Sequence, residues 1–88
     1  MRRLGVATRL MEEAIAYASA QGVRIVLLEV RRSNRAAIRL YRALRFTAMG
    51  VRPGYYTDND EDAVEMVLSL DPRTGRVIPG HDEVRIDA

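Results

Sequence analysis

The chain has no cysteine among its 88 residues. A disulfide framework, a thiolate metal site and a cysteine nucleophile are therefore excluded, and a reducing compartment is acceptable. Long apolar runs are also missing: the longest, Ile25 to Val30, contains Glu29 and is far shorter than the roughly 20 residues that span a bilayer. The amino terminus has no apolar core typical of a signal peptide. We therefore expect a cytoplasmic protein without a membrane segment.

Lysine is absent too, so all 14 basic residues are arginine. The net charge of +2 conceals a division into +8 for residues 1–52 and −6 for residues 53–88. A planar guanidinium suits bidentate contacts to phosphate, although a genomic coding bias toward arginine produces the same composition. Repeats and low-complexity segments are missing as well. A chain of this length is one small domain or part of one.

Helical and extended patterns alternate along the first 70 residues. An apolar stripe at helical spacing predicts a helix over residues 5–20, which Gln21-Gly22 ends. The run Arg24 to Val30 is rich in β-branched and apolar residues on both faces, which predicts a strand buried inside a sheet. Ser33-Asn34 then offers an N-cap to a second helix, whose outer face carries three arginines, Arg35, Arg39 and Arg42.

The second half of the chain continues with extended segments. Residues 46–51 and 63–70 are predicted strands, separated by a loop with Pro53-Gly54 and the acidic run from Asp58 to Asp62. The order of elements predicts an α/β sandwich in which the second helix crosses over between parallel strands. Residues 71–88 lose the pattern, and we expect them to form a polar, loosely attached tail.

Six residues at the start of the first helix suggest anion capture: Arg2, Arg3, Leu4, Gly5, Val6 and Ala7. A turn of small residues lets backbone N–H groups approach a ligand, and the helix adds the positive end of its dipole. A phosphate would bind there. The alternative is that Gly5 merely starts an ordinary surface helix.

Glu29 is unusual because it stands inside an apolar strand. An ionised carboxylate there is costly unless it is paired, opens to a cleft or has a raised pKa, and a raised pKa suits a general base at neutral pH. The competing interpretation is a carboxylate at a strand end that reaches solvent and pairs with Arg31, two residues on along the same face.

Asn34 and Tyr41 are seven residues apart, so on a helix they share a face about 10 Å apart. An amide and a phenol could therefore lie along one extended ligand. The alternative is that Asn34 is only a helix cap and Tyr41 only a core aromatic.

Other residues carry weaker signals. Tyr55-Tyr56, beside Arg52, could stack on nucleic acid, line a substrate groove or simply pack on the sheet. The aspartates from Asp58 onward imitate a calcium loop, but Ala63 and Ser69 stand where that loop needs glycine and glutamate. His81 has no second histidine or cysteine as a partner, so no metal site is expected.

Taken together, these residues resemble a known family. Arg2-Arg3-Leu4-Gly5-Val6-Ala7 is similar to the acetyl-CoA signature of the GNAT N-acetyltransferase superfamily. A series of shorter motifs, in the order in which the family has them, is similar to the bacterial ribosomal-protein alanine N-acetyltransferase branch of that superfamily. They are Leu28-Glu29-Val30-Arg31, Ser33-Asn34, Ala36-Ala37-Ile38, Leu40-Tyr41, Gly54-Tyr55-Tyr56 and Glu61-Asp62-Ala63. The resemblance runs from Arg2 to about Leu70 and implies the carboxyl-terminal part of a GNAT domain, built around a mixed sheet.

The resemblance also implies roles for individual residues. The segment from Arg2 to Ala7 would hold the pyrophosphate of acetyl-CoA, and Asn34 would contact its pantetheine arm. Glu29 matches the family's general base, and Tyr41 matches the acid that protonates the departing thiolate. Tyr55 and Tyr56 would lie near the groove for the acceptor, a protein amino terminus such as that of a ribosomal protein. Direct transfer is expected, because no cysteine can carry an acyl intermediate.

Two departures from the family pattern carry expectations of their own. Arg45 stands where the family has the glycine that ends the Tyr41 helix in a left-handed turn, so a strained or re-routed helix end is expected. The family's amino-terminal half is not matched, which is expected to leave residues 25–30 at an open sheet edge that a dimer could cover.

The resemblance implies an enzyme, and two alternatives stay open for the 88-residue chain. One alternative is a non-catalytic module that binds CoA or a partner. Another is a ribosome-binding or nucleic-acid-binding piece that uses Arg31, Arg32, Arg35, Arg39 and Arg42. No known motif for nucleic acid accompanies these arginines, and direct nucleic-acid binding is not expected.

Overall fold

The computed structural model describes residues 3–86, with side chains from residue 5 onward. Two helices and four strands follow one another along the chain. They are α1 (Arg3–Ala20), β1 (Ile25–Arg31), α2 (Arg35–Ala43), β2 (Thr47–Tyr56), β3 (Glu61–Leu70) and β4 (Val77–Ile78). None of the described helices is long and apolar enough to cross a membrane.

The sheet has the strand order β1-β3-β2, with β4 paired to the end of β3. Both β1 and β2 run antiparallel to β3, so they are parallel to each other with β3 inserted between them. The predicted crossover is therefore correct in its direction, since α2 connects two parallel strands. The prediction missed the strand between them, and all described pairings are antiparallel.

Both helices pack on the same face of the sheet. Alternate residues of β3 point to that face and are almost fully buried, which follows from the two-residue period of a strand. The core consists of Val30, Ile38, Phe46, Ala48, Val64, Met66, Leu68, Leu70 and Ile86. Met11 and Ile15 of α1, and Ala37 and Tyr41 of α2, pack against it. The opposite sheet face, which we call the open face, carries Leu27 and Glu29 of β1 and Glu65 of β3; no described helix covers it.

Strand β1 differs from the expectation that it is buried on both faces. The side chains of Ile25 and Leu27 are 61% and 62% exposed, and only Val30 is buried. The reason is that the helices cover one face only, and that among residues 3–86 β1 pairs with β3 alone. The expected open edge is therefore present in the described part of the chain.

Helix α2 begins and ends with recognisable caps. The Asn34 side chain accepts a hydrogen bond from the Ala37 N–H at 3.2 Å, which confirms the predicted N-cap. At the other end, Arg45 adopts a left-handed backbone with φ 76°. Its N–H bonds to the Arg42 carbonyl and the Phe46 N–H bonds to the Tyr41 carbonyl, both at 2.9 Å, which is the Schellman motif. The helix end is strained, as expected, but it is not re-routed.

Replacing Arg45 by glycine is expected to stabilise the protein by about 1 kcal/mol. Glycine adopts the left-handed conformation without the clash of a Cβ atom, and this gain exceeds the entropy that glycine adds to the unfolded chain. Chemical denaturation followed by circular dichroism measures the change. Helix α1 supplies the matched control, because it ends in the same motif with Gly22 at φ 80°; Gly22→Arg should cost about as much as Arg45→Gly gains. An unchanged or lower stability of Arg45→Gly contradicts the expectation.

Strand β2 is longer than predicted. Pro53 and Gly54 were expected in a loop, but they lie within β2, where the register with β3 shifts between Arg52 and Tyr56. A proline fits there because the irregular pairing needs no N–H from it. The connection to β3 is a short turn over residues 57–60, and β3 begins at Glu61, inside the acidic run.

The carboxyl-terminal segment also differs from the loosely attached tail that was expected. Ile86 is 8% exposed and belongs to the core, and β4 pairs with the end of β3. Asp82 accepts a hydrogen bond from the Ala48 N–H at 2.9 Å and forms an ion pair with Arg42 at 2.6 Å. Arg42 was predicted on the outer face of α2, whereas it turns toward this segment. The segment is polar in composition, but a few specific contacts hold it to the rest of the fold.

Substituting Asp82 by asparagine is expected to lower the free energy of unfolding by roughly 1.5–3 kcal/mol at pH 7, the usual range for hydrogen bonds to a charged group. Burial alone would raise the pKa of Asp82, but the Ala48 N–H and the Arg42 guanidinium hold it below its ordinary value. The carboxylate therefore stabilises the fold above about pH 4, and this contribution is lost as the pH falls through the lower folded pKa.

Denaturation of the parent and of Asp82→Asn between pH 7 and pH 2 measures this effect. The difference in free energy of unfolding between the parent and Asp82→Asn should become smaller below about pH 4. Glu83→Gln is the control, because the Glu83 side chain is half exposed and its ion-pair partner His81 is exposed as well. A constant difference across the whole range would show that the charge of Asp82 does not contribute.

Candidate active site

Glu29 lies on the open face, in the middle strand positions of β1. Its carboxylate accepts a hydrogen bond from Arg52 of β2, with 2.9 Å between Arg52 Nη1 and Glu29 Oε2. The side chain is 25% exposed, so it is accessible from solvent. The sequence suggested Arg31 as the partner of Glu29; the structure instead pairs Arg31 with Asp58 at 3.0 Å and Glu61 at 3.5 Å. Glu29 is thus a paired but reachable carboxylate.

Tyr55 and Tyr56 extend this site along β2. Their rings meet edge to face, with centroids 5.2 Å apart. The guanidinium of Arg52 lies 5.0 Å from the ring centre of Tyr55, and that of Arg31 lies 4.1 Å from the ring centre of Tyr56. A hydrogen bond with Glu29 is the main cause of a raised pKa for the Tyr55 hydroxyl, followed by the Coulomb repulsion of that carboxylate. The structure therefore brings Glu29 and Tyr55 together.

Glu65 is a member of the site that the sequence analysis missed. In the register of β1 and β3 it stands directly opposite Glu29, so the two carboxylates share the open face. Glu65 also faces Gly50 on β2. The available signal was an acid inside the apolar strand β3, the same signal that singled out Glu29. It could not be used without the register, which sequence periodicity does not supply.

Tyr41 lies on the other side of the sheet. Its ring packs against the buried core and contacts the Phe46 ring, with centroids 5.6 Å apart and a tilt of 58°. Because Glu29 and the core residue Val30 point to opposite faces of β1, Glu29 and Tyr41 are separated by that strand. The Asn34 side chain is engaged in the N-cap of α2.

The segment predicted to hold phosphate lies at the start of α1. Arg2 falls outside the described residues, and for Arg3 and Leu4 only the helical backbone is described. Gly5, Val6 and Ala7 lie within the helix, which begins earlier than the predicted residue 5. A Cβ atom at Gly5 would meet nothing within 4 Å, so the backbone is open to a ligand there. The first turn carries no acidic residue that would compete with an anion.

The connection between β1 and α2 is held by β3. Glu61 accepts a hydrogen bond from the Ser33 N–H at 2.7 Å, and Asp62 pairs with Arg32 at 3.2 Å. Bonds from Ser33 are the first cause of a lowered pKa for Glu61, with further contributions from Asn59 and Arg31. The acidic run therefore braces the loop that precedes Asn34. Among the described residues no group of three or more side chains is placed to hold a metal ion.

Three of the five arginines between residues 31 and 42 are engaged in ion pairs. Arg31, Arg32 and Arg42 each pair with a carboxylate from the acidic second half of the chain. Three arginines of the basic first half are thereby paired with acids of the second half. These three guanidinium groups are not free for phosphate, which a nucleic-acid surface would need.

Comparison with known proteins gives the class. The model of the Acetyltransferase (GNAT) family matches residues 1–46, more than half of the chain. The chain therefore belongs to the GNAT acetyltransferase family, and the family and fold predicted from the sequence are confirmed.

Individual relatives narrow the comparison. The chain is 42% identical over 71 residues to the ribosomal protein bS18-alanine N-acetyltransferase of Escherichia coli K12. The matched region covers 78% of this chain and 48% of that protein. The crystal structure of the ribosomal-protein-S18-alanine N-acetyltransferase from Escherichia coli is similar with a TM-score of 0.69 and 37% identity, covering 93% of this chain and 49% of that one.

A NatC complex solved with Gag peptide and CoA is similar with a TM-score of 0.75 and 33% identity, covering 80% of this chain and 43% of that one. The chain spans about half the length of the curated relatives it matches, 48% in the case of the Escherichia coli enzyme.

Proposed function

We propose that this protein transfers an acetyl group from acetyl-CoA to the α-amine of a protein amino terminus, and that its acceptor is of the ribosomal-protein alanine type. The observation that carries the proposal is the accessible carboxylate of Glu29, held between Arg52 and Tyr55 on the open face of a GNAT sheet. The narrower acceptor rests on the similarity to the ribosomal protein bS18-alanine N-acetyltransferase.

Acetyl-CoA supplies the activated acetyl thioester. The backbone N–H groups at the start of α1 are suited to its pyrophosphate, because the first N–H groups of a helix have no partner within the helix and the space beside Gly5 is open. Asn34 stands at the start of α2, where it would contact the pantetheine arm while still capping the helix. CoA bound to the NatC relative supports this cofactor class.

In the proposed reaction, Glu29 accepts a proton from the acceptor amine through a water molecule, and the Tyr41 hydroxyl donates a proton to the sulfur that leaves. A phenol hydroxyl is one of the side-chain groups that can act as a general acid toward a departing thiolate. Glu29 and Tyr41 point to opposite sides of β1, so in this proposal the base acts on the side of the acceptor and the acid on the side of the thioester. Tyr55 and Tyr56 border the acceptor side.

Two measurements test the proposal. Titration calorimetry with acetyl-CoA measures cofactor binding, and release of free CoA thiol with a peptide that begins with alanine measures transfer. The same peptide with a blocked amino terminus is the control, and mass spectrometry locates the acetyl group. Binding and turnover together support the enzyme. Binding without turnover favours the non-catalytic module, and the absence of heat overturns the proposal.

A further inference from the structure

A short row across the open face consists of two carboxylates and one guanidinium; Arg31, on the same face, is already paired with Asp58 and Glu61. Glu29 and Glu65 stand opposite each other on β1 and β3, and Arg52 reaches them from β2. Hydrogen bonding to Glu29 is the first cause of a raised pKa for Arg52, and Glu65 adds to it through its charge. One cation is therefore shared by two anions, which leaves the row with one unbalanced negative charge.

Arg52 must cross the middle strand to contact Glu29. Its cross-strand partner on β3 is Ala63, and Glu29 lies beyond, on β1. Ala63 is fully buried even though it points to the open face, because Arg52 and Arg31 flank it from both neighbouring strands. A small residue at this position leaves a path for the long side chain. Glu65 is nearer to the origin of Arg52, since it is the diagonal neighbour of that residue.

Space for the Glu65 carboxylate is provided by a glycine. A Cβ atom built at Gly50 would lie 2.8 Å from Glu65 Oε1, so any larger residue at position 50 would displace the carboxylate. Gly50 has no positive φ that would require glycine for the backbone. Because Gly50 has no side chain, the Glu65 carboxylate can extend toward β2.

We propose that Glu65 is a positioning residue that receives the Arg52 guanidinium from Glu29 when the acceptor amine arrives. This inference rests on the proposed function, in which Glu29 meets that amine. At neutral pH an amino terminus is mostly an ammonium ion, since its ordinary pKa is 7.7–8.0. Its charge balances the row: the ammonium pairs with Glu29 and Arg52 pairs with Glu65. Without a second carboxylate, the acceptor would have to displace Arg52 from its only partner.

Glu65→Gln tests this directly. With the charge at position 65 removed, Arg52 competes with the acceptor for Glu29, so the KM for the peptide should rise about fivefold, the effect of one partly exposed ion pair. The value of kcat and the affinity for acetyl-CoA should change by less than about twofold. Gly50→Ala, which displaces the same carboxylate without removing its charge, should also raise the peptide KM.

Rescue separates this role from a merely structural one. In the double variant Arg52→Gln/Glu65→Gln the competing cation is gone, so the peptide KM should return to within about twofold of the Arg52→Gln value. Glu12→Gln, on the exposed side of α1, is the control for loss of a carboxylate, and thermal unfolding checks that each variant is folded. An unchanged KM in Glu65→Gln, or a rise that persists in the double variant, overturns the inference.

Calorimetry with the peptide distinguishes this failure from failure of the proposed function. If the parent binds the peptide without acetylating it, the transfer proposal fails. The peptide Kd then replaces KM in the comparison of the parent, Glu65→Gln, Arg52→Gln and the double variant. If transfer occurs while Glu65→Gln behaves as the parent, only the role of Glu65 is wrong. If the parent neither binds nor acetylates the peptide, both are wrong.

Discussion

Glu29→Gln is expected to slow acetyl transfer to a peptide amine by about 10²–10⁴-fold, the usual contribution of a general base. Glutamine keeps the size of the side chain and an oxygen that can accept the Arg52 hydrogen bond, so the sheet is left in place. It cannot take up a proton from the amine. The loss should appear in kcat, because the group acts in the chemical step rather than in binding.

The measurement is thiol release at saturating acetyl-CoA, together with calorimetry of acetyl-CoA, whose Kd should stay within about twofold. Tyr41→Phe should also slow transfer and spare cofactor affinity, because it removes only the proposed proton donor. Glu13→Gln on the exposed surface of α1 is the control for a lost carboxylate. If Glu29→Gln and Tyr41→Phe both acetylate as fast as the parent, the assignment of these residues is wrong.

Phe46→Ala is expected to lower the free energy of unfolding by about 3–5 kcal/mol. Phe46 is 2% exposed and is one of the largest fully buried side chains, at the point where α2 ends and the chain enters β2. Its ring contacts Tyr41, and this contact joins the two residues that close the Schellman motif. Truncation therefore leaves a cavity and removes the hydrophobic contact of a helix cap.

A small domain has only about 5–15 kcal/mol of stability, so Phe46→Ala should be largely unfolded at moderate denaturant concentrations. Urea denaturation followed by circular dichroism measures the loss. Tyr17→Ala is the control for removing an aromatic ring, because Tyr17 is 69% exposed; its effect should stay within about 0.5 kcal/mol. Equal losses for the two variants would contradict the assignment of Phe46 to the core.

Local patterns in the sequence predicted the elements well and their arrangement less well. The N-cap at Asn34, the stop at Gly22 and the strand over 63–70 depend on neighbouring residues, and all are present. The insertion of β3 between β1 and β2 could not be predicted, because an apolar alternation gives the face of a strand and not its neighbour. The expectation of a strand buried on both faces, from 24 to 30, was wrong because an apolar run does not show which faces of the sheet the helices cover.

The candidate site shows the same limit. Glu29 and Tyr55 stood out as single residues, but their connection through Arg52 depends on three strands and on the 25 residues of sequence between Glu29 and Tyr55. The sequence did not identify Glu65 as a site residue, because only the register of β1 and β3 places it opposite Glu29. The anchoring of Asp82 was missed because polar composition does not distinguish a solvated segment from one that is held by a few specific bonds.

The central position of β3 has a consequence for biosynthesis. Every described ladder of β1 and β2 is formed with β3, whose last residue is Leu70. A nascent chain that has not yet released residues 61–70 from the ribosome can form its two helices but cannot assemble the sheet, because the later segment supplies the partner of both earlier strands. Glu29 thus acquires the orientation seen here only once residues 61–70 have left the ribosome, and a premature stop before residue 61 would remove the strand with which β1 pairs in the described part of the chain.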